Sequence, residues 1–267
     1  MRRVTHLART LDLRLPSNRW AVGIALACGV VAMAWSPDFS SAGRVAVASF
    51  LGWTIGRELD PDRPWSAPVA GLASGLLPAA LGPPRLGASV ILLLAARLLV
   101  RSIGLPPTLP DTAAVAGLAS ALAGDTAGWV AGLTLAFAMA RDAGLPDPAP
   151  RRQLAWALVT AAGVTVVAGW NQVVGGWTSP GVVELGLAAV GTMAGASLPP
   201  EQPLSVADIT GRRLNQRRLA SARRTVLAAL LLAAAFGGGS GIAGLTPGWV
   251  AVIAGAVAAR IGGTGRG

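Results

Sequence analysis

Leu109-Pro110-Asp111-Thr112-Ala113-Ala114-Val115-Ala116-Gly117-Leu118-Ala119-Ser120-Ala121-Leu122-Ala123-Gly124-Asp125-Thr126-Ala127-Gly128-Trp129-Val130-Ala131-Gly132-Leu133-Thr134-Leu135-Ala136-Phe137-Ala138-Met139-Ala140-Arg141 has an acid near its start, one at Asp125 and no base before its last residue. Read as one helix it crosses an apolar slab once; read as two helices turning at Gly124-Asp125 it crosses twice. The choice reverses the side of everything that follows. Arginine positions decide it. With the N-terminus inside and two crossings here, 20 of the 22 arginines fall on the inner side and only Arg44 and Arg85 on the outer. A single crossing gives 9 inside and 13 outside. Basic residues collect on the cytoplasmic side of membrane proteins, so two crossings are expected. The acids divide into nine inside and three outside (Asp38, Asp125, Glu184), so the net charges are 20 − 9 = +11 and 2 − 3 = −1.

Composition points the same way. The 267 residues are 53% hydrophobic and 13% charged, whereas soluble domains carry about 25% charged residues. That excludes an ordinary soluble globule, and the hydrophobicity excludes a disordered chain. The expected class is an all-α polytopic integral membrane protein with about ten short transmembrane helices. They fall near 20–35, 42–56, 66–82, 86–100, 110–124, 126–140, 154–174, 181–198, 225–242 and 247–261. Sixteen residues span about 24 Å, less than the usual hydrocarbon core; bundle packing and local thinning must supply the difference. Trp20 and Trp35 bracket the first segment, and Trp65, Trp177 and Trp249 lie near other ends, as interfacial indoles do. The chain divides into a tail 1–19, a membrane domain 20–198, a basic loop 199–224 and a last hairpin 225–267.

All 22 basic residues are arginine, and the net charge is +10. They lie between apolar segments, where topology places them, so nucleic acid is not the expected partner. The expected partners are the bilayer and anionic lipid headgroups at the cytoplasmic face. Residue usage, with no lysine, matches a GC-rich bacterial genome, and a bacterial plasma membrane is the expected location, with both termini cytoplasmic. The Arg-rich start and first apolar run read as a retained signal anchor. Cys28 is the single cysteine, so no disulfide forms within the chain.

The sequence repeats itself. Val69-Ala70-Gly71-Leu72-Ala73-Ser74 returns 46 positions later as Val115-Ala116-Gly117-Leu118-Ala119-Ser120. Arg101-Ser102-Ile103-Gly104-Leu105-Pro106 returns 40 positions later as Arg141-Asp142-Ala143-Gly144-Leu145-Pro146. Repeated helical hairpins are expected, each with a proline elbow at the inner surface. Glycines four apart, at Gly52/Gly56, Gly71/Gly75, Gly124/Gly128/Gly132, Gly191/Gly195 and Gly237/Gly241, mark close contacts between helices of one chain.

Two polar clusters are candidate sites. In Arg57-Glu58-Leu59-Asp60-Pro61-Asp62-Arg63 three carboxylates alternate. Extended backbone would place them on one side, where they could hold Mg²⁺ while Arg57 and Arg63 clamp a phosphate. The other reading is a solvated elbow with Asp-Pro turns. Asn171, Gln172 and Glu184, with Asp125, could face one another near the outer surface and line a polar pathway. Gly237-Gly238-Gly239-Ser240-Gly241 lacks the base a serine nucleophile needs, because the single histidine, His6, belongs to the inner tail; it reads as a broken helix end. One histidine and one cysteine exclude a His/Cys metal site. Ser205-x-x-Asp208 could cap a short helix. The expected function is a small, non-enzymatic transporter or permease-like component without a cofactor. The alternatives are a Mg-dependent enzyme acting on lipid phosphates and a membrane-anchoring subunit.

Overall fold

A computed structural model of the chain describes residues 5–7, 11–147, 151–173, 177–198 and 202–263. Arg2, Arg3, Arg9, Arg266, Glu201 and the start of the 199–224 loop lie outside these. Among the described residues the chain is all-helical, with no strands. Its helices are α1 (Pro16–Trp35), α2 (Phe39–Leu59), α3 (Ser66–Leu76), α4 (Pro78–Leu81), α5 (Leu86–Val100), α6 (Leu109–Ala121), α7 (Thr126–Asp142), α8 (Arg152–Trp170), α9 (Val182–Ala196), α10 (Gln216–Gly237), α11 (Gly239–Gly244) and α12 (Thr246–Gly263). Three of them, α1, α8 and α10, are long and apolar enough to cross a bilayer. The other apolar helices, α3 with α4, α5, α9 and α12, are shorter.

The segment 109–141 is two helices. Thr108 and Asp111 form a reciprocal capping box that starts α6. The helix ends at Ala121, and Asp125 then accepts the Gly128 N–H at 2.8 Å to start α7. Each cap satisfies donors that the first turn leaves without intrahelical acceptors. Asp38 does the same for α2, and Asn215 for α10. That last cap explains one difference from the sequence reading. Helix α10 begins at Gln216, nine residues before the expected apolar boundary, so its arginines are helical rather than part of a loop.

Helix α5 is the centre of the bundle. Ile91, Leu92, Leu98 and Leu99 are fully buried and share one core with Leu135, Met139, Leu230 and Trp249. Packing follows from side-chain size. A Cβ added to Gly52 would overlap Ser74 Oγ, and one at Gly75 would lie 2.7 Å from Cys28 Cβ, so α1, α2 and α3 meet backbone to backbone. Gly132 faces Val164, and Gly191 faces Trp249. Trp249 is therefore a core residue and not an interfacial one, unlike Trp35, which is 87% exposed.

The three helix pairs joined by proline elbows pack differently. Helices α2 and α3 pack along one another, as do α7 and α8, but α5 and α6 splay apart: α5 packs on α7 and α6 on α8. The faces of α5 are already covered by α2, α7 and α10, which leaves α6 no room beside it. The outer surface of the bundle is apolar. Leu158 and Val166 on α8, Met193 on α9 and Ile261 on α12 are each about 70% exposed.

Candidate functional site at the arginine-rich end

The C-terminal ends of α2, α5 and α7 and the N-terminal ends of α6 and α10 meet in one ionic layer. At its centre Asp142, the last residue of α7, is fully buried and accepts from two arginines. Arg218 Nη1 lies 2.6 Å from one oxygen and Arg101 Nη2 lies 3.0 Å from the other. Arg101 reaches this position because it ends α5 in the left-handed conformation, at φ 53°. Arg218 also donates to the carbonyls of Leu99, Pro146 and Asp147, and Arg101 donates to the carbonyl of Asp147. One carboxylate and two guanidiniums thus fasten three helix ends and the α7–α8 elbow.

The first elbow joins the same layer. Glu58 pairs with Arg97 at 2.9 Å. Asp60 pairs with Arg63 at 2.8 Å and with Arg223 at 3.6 Å, and Arg223 Nε donates to the Leu59 carbonyl. Asp62 accepts the backbone N–H groups of Leu204 and Ser205 at 2.8 and 2.7 Å. Arg57 lies over the Trp53 ring at 5.6 Å. The shared face that extended backbone would give Glu58, Asp60 and Asp62 does not form. Helix α2 runs through Leu59, so Glu58 is helical, Asp60 caps the helix and Asp62 sits in the following turn. Each carboxylate turns to different groups, and among the described residues no cluster of three His, Cys, Asp or Glu could hold a metal.

Burial pushes the Asp60 carboxyl above its ordinary value, against the opposing pull of Arg63 and Arg223. At Asp62 burial acts in the same sense, but hydrogen bonds from Ser205 and Leu204 and the charge of Arg63 outweigh it, so its carboxyl is held below the ordinary value.

The N-terminal segment docks on this end. His6 N–H donates to Asp111 at 2.9 Å, and the His6 ring contacts the Pro106 carbonyl at 2.8 Å. Residues 202–214 form no capped helix at Ser205. They fold back on themselves, with Ala207 N–H donating to Arg212 O and Leu214 N–H to Ser205 O. This hairpin lies against the second elbow through Asp208 N–H to Ser102 O and Ile209 N–H to Ile103 O.

At the opposite end, Asp125, Asn171, Gln172 and Glu184, the candidate polar pathway, turn to separate surroundings. Asp125 pairs with Arg85 at 3.3 Å. Asn171 sits beside Gly124 but donates to its own helix at Val167 O. Gln172 is exposed at φ 51°, and the Glu184 carboxylate lies against Gly181 of its own helix start. The glycine run does break the helix as expected. Gly238 has φ 58°, and Thr178 bonds across the break through Thr178 Oγ1 to Gly237 O and Ser240 N–H to Thr178 Oγ1.

Two clefts open at the ionic end. One, of about 370 Å³, lies between the N-terminal segment, α1, α2 and α5; its lining mixes Leu15, Phe50, Trp53 and Leu93 with Arg57, Glu58, Arg97 and Asp208. The second, of about 390 Å³, shares Arg57, Glu58 and Asp208 and continues along Leu204–Val206. The sequence did not single out Asp142 or Arg218. Arg218 is one of six arginines within residues 212–224 and Asp142 follows an arginine at a helix end, so only the fold distinguishes them. No protein-family model, curated protein or solved structure matches the chain.

Proposed function

We propose that the chain is a non-enzymatic, multi-pass membrane protein with about ten short spans, a small permease-like component of a bacterial plasma membrane. The arginine-rich end faces the cytoplasm with both termini. The observation that carries this reading is the segregation of polar groups. Arginine-bearing elbows far apart in sequence meet in one layer at one end, below a bundle whose sides are apolar. A protein surrounded by hydrocarbon must sort its charges this way.

The paired clefts suit an amphiphilic cargo. One brings Leu15, Phe50, Trp53 and Leu93 beside charged groups, the other runs along residues 204–206, and both meet at Arg57, Glu58 and Asp208. A polar head could pass from one to the other while its tail stays among Phe50, Trp53 and Leu93. The lipid-phosphate enzyme is disfavoured because Glu58, Asp60 and Asp62 are engaged separately. Proteoliposomes carrying a headgroup-labelled lipid test the permease reading. We expect label to cross faster than in protein-free vesicles and Trp53→Ala to slow it. Equal rates with and without protein would end this reading.

A further inference from the structure

A third cavity, of about 310 Å³, lies where the α5–α6 elbow, the α7–α8 elbow and the 202–215 hairpin meet. Its walls carry Arg101, Arg212, Arg213 and Arg218 against a single acid, Asp147. A neighbouring depression shares Arg213, Leu214 and Asn215 and adds Arg217. With Asp142 behind the wall, the local balance is 4 − 2 = +2.

Two of these cations are nearly inaccessible to water: the side chains of Arg101 and Arg218 are 8% and 3% exposed. Excess buried charge is costly unless a counter-charge meets it. Moreover, the Arg101 Nε–H is buried and has no hydrogen-bond acceptor among the described residues. Buried donors are almost always satisfied; this one lies behind the cavity surface, so an anion meets it only when the Arg101 side chain shifts toward the cavity. Arg212 and Arg213 stand exposed at the rim, Arg212 in a loose, solvated pair with Asp147 at 4.0 Å, where their guanidiniums can turn to an anion.

We propose that this cavity binds a phosphate monoester or inorganic phosphate. A phosphate dianion carries about −1.5 to −2 at neutral pH, which matches the local excess. Its oxygens suit the fork of a guanidinium better than any single-point acceptor would. The cavity has room for the phosphate and a small substituent. The ligand arrives either as the headgroup of a phosphatidate-type lipid or as a water-soluble phosphate, and both offer the same dianion. This inference requires only that the ionic end be wet, so it stands or falls separately from lipid transport.

The test uses the full-length chain. Binding of inorganic phosphate is measured by calorimetry in detergent, and binding of phosphatidate is measured in nanodiscs against a phosphatidylcholine background. Retention of phosphate identifies a soluble ligand, and retention of phosphatidate alone identifies a lipid; either supports the site. The Arg212→Gln/Arg213→Gln double variant should weaken binding by at least about tenfold, the value of one or two charge-assisted hydrogen bonds. Arg14→Gln/Arg19→Gln removes the same charge elsewhere on this end and should leave affinity within about twofold. All four arginines are exposed, and circular dichroism confirms that both variants fold. Binding of neither probe would overturn the proposal, as would equal weakening by the two double variants.

Discussion

Arg218 and Asp142, 76 positions apart in sequence, meet side chain to side chain at 2.6 Å, and the pair is almost wholly excluded from solvent. It ties the first turn of α10 to the last residue of α7, and Arg101 brings in the end of α5. Removing one partner of a buried pair strands the other, which costs about 3–5 kcal/mol. Asp142→Asn should therefore lower the unfolding midpoint in detergent sharply, because it strands two guanidiniums. Arg212→Gln, at an exposed position, should change stability by no more than about 0.5 kcal/mol. Equal midpoints for the two variants would show that the pair does not hold the helices together.

Glycines differ in what they do, and two substitutions separate the cases. At Gly238, φ is 58° and an added Cβ would overlap the Thr178 carbonyl oxygen. Gly238→Ala should destabilise by more than about 1 kcal/mol, from backbone strain and the clash together. Gly117 lies within α6, and a Cβ added there would meet nothing within 4 Å. Gly117→Ala should be neutral or stabilising by up to about 1 kcal/mol, since alanine is the better helix former. Thermal unfolding of both variants checks the contrast.

Acid should loosen the hairpin from the first elbow. The Asp62 carboxyl is held below its ordinary value of 3.8. A lowered carboxyl value means that its contribution to stability is complete above the ordinary value and is lost as pH falls through the lowered one. Hydrogen exchange at the Leu204 and Ser205 amides should therefore be slow at neutral pH, after correction for intrinsic rates, and lose protection below pH 3.8. Asp62→Asn should remove that pH dependence. Unchanged protection in the variant would mean that Asp62 is not what holds the hairpin.

Much of the helical pattern is legible in the sequence because apolar runs and proline elbows are local signals. The turn at Gly124-Asp125 followed from charge sorting, and Asp125 does cap the second helix. The reach of α10 back to Gln216 was hidden, because arginines resemble a loop until Asn215 is seen to cap them. The alternating acids of the first elbow left two readings open for a related reason: alternation places side chains together only in extended backbone, and α2 stays helical through Leu59. The choice of Arg218 among six neighbouring arginines, and of Asp142 as its mate, depends on packing between remote segments. No local signal carries that.

Single thiols report whether the ionic layer lies on the cytoplasmic side of a bilayer. Cys28 is the single cysteine, so a Cys28→Ala background accepts one reporter thiol at a time. In intact cells, a membrane-impermeant maleimide should label Gly124→Cys and leave Arg14→Cys and Arg212→Cys untouched until the membrane is opened. Labelling of positions 14 and 212 from opposite faces, or of 124 and 212 from the same face, would contradict the account.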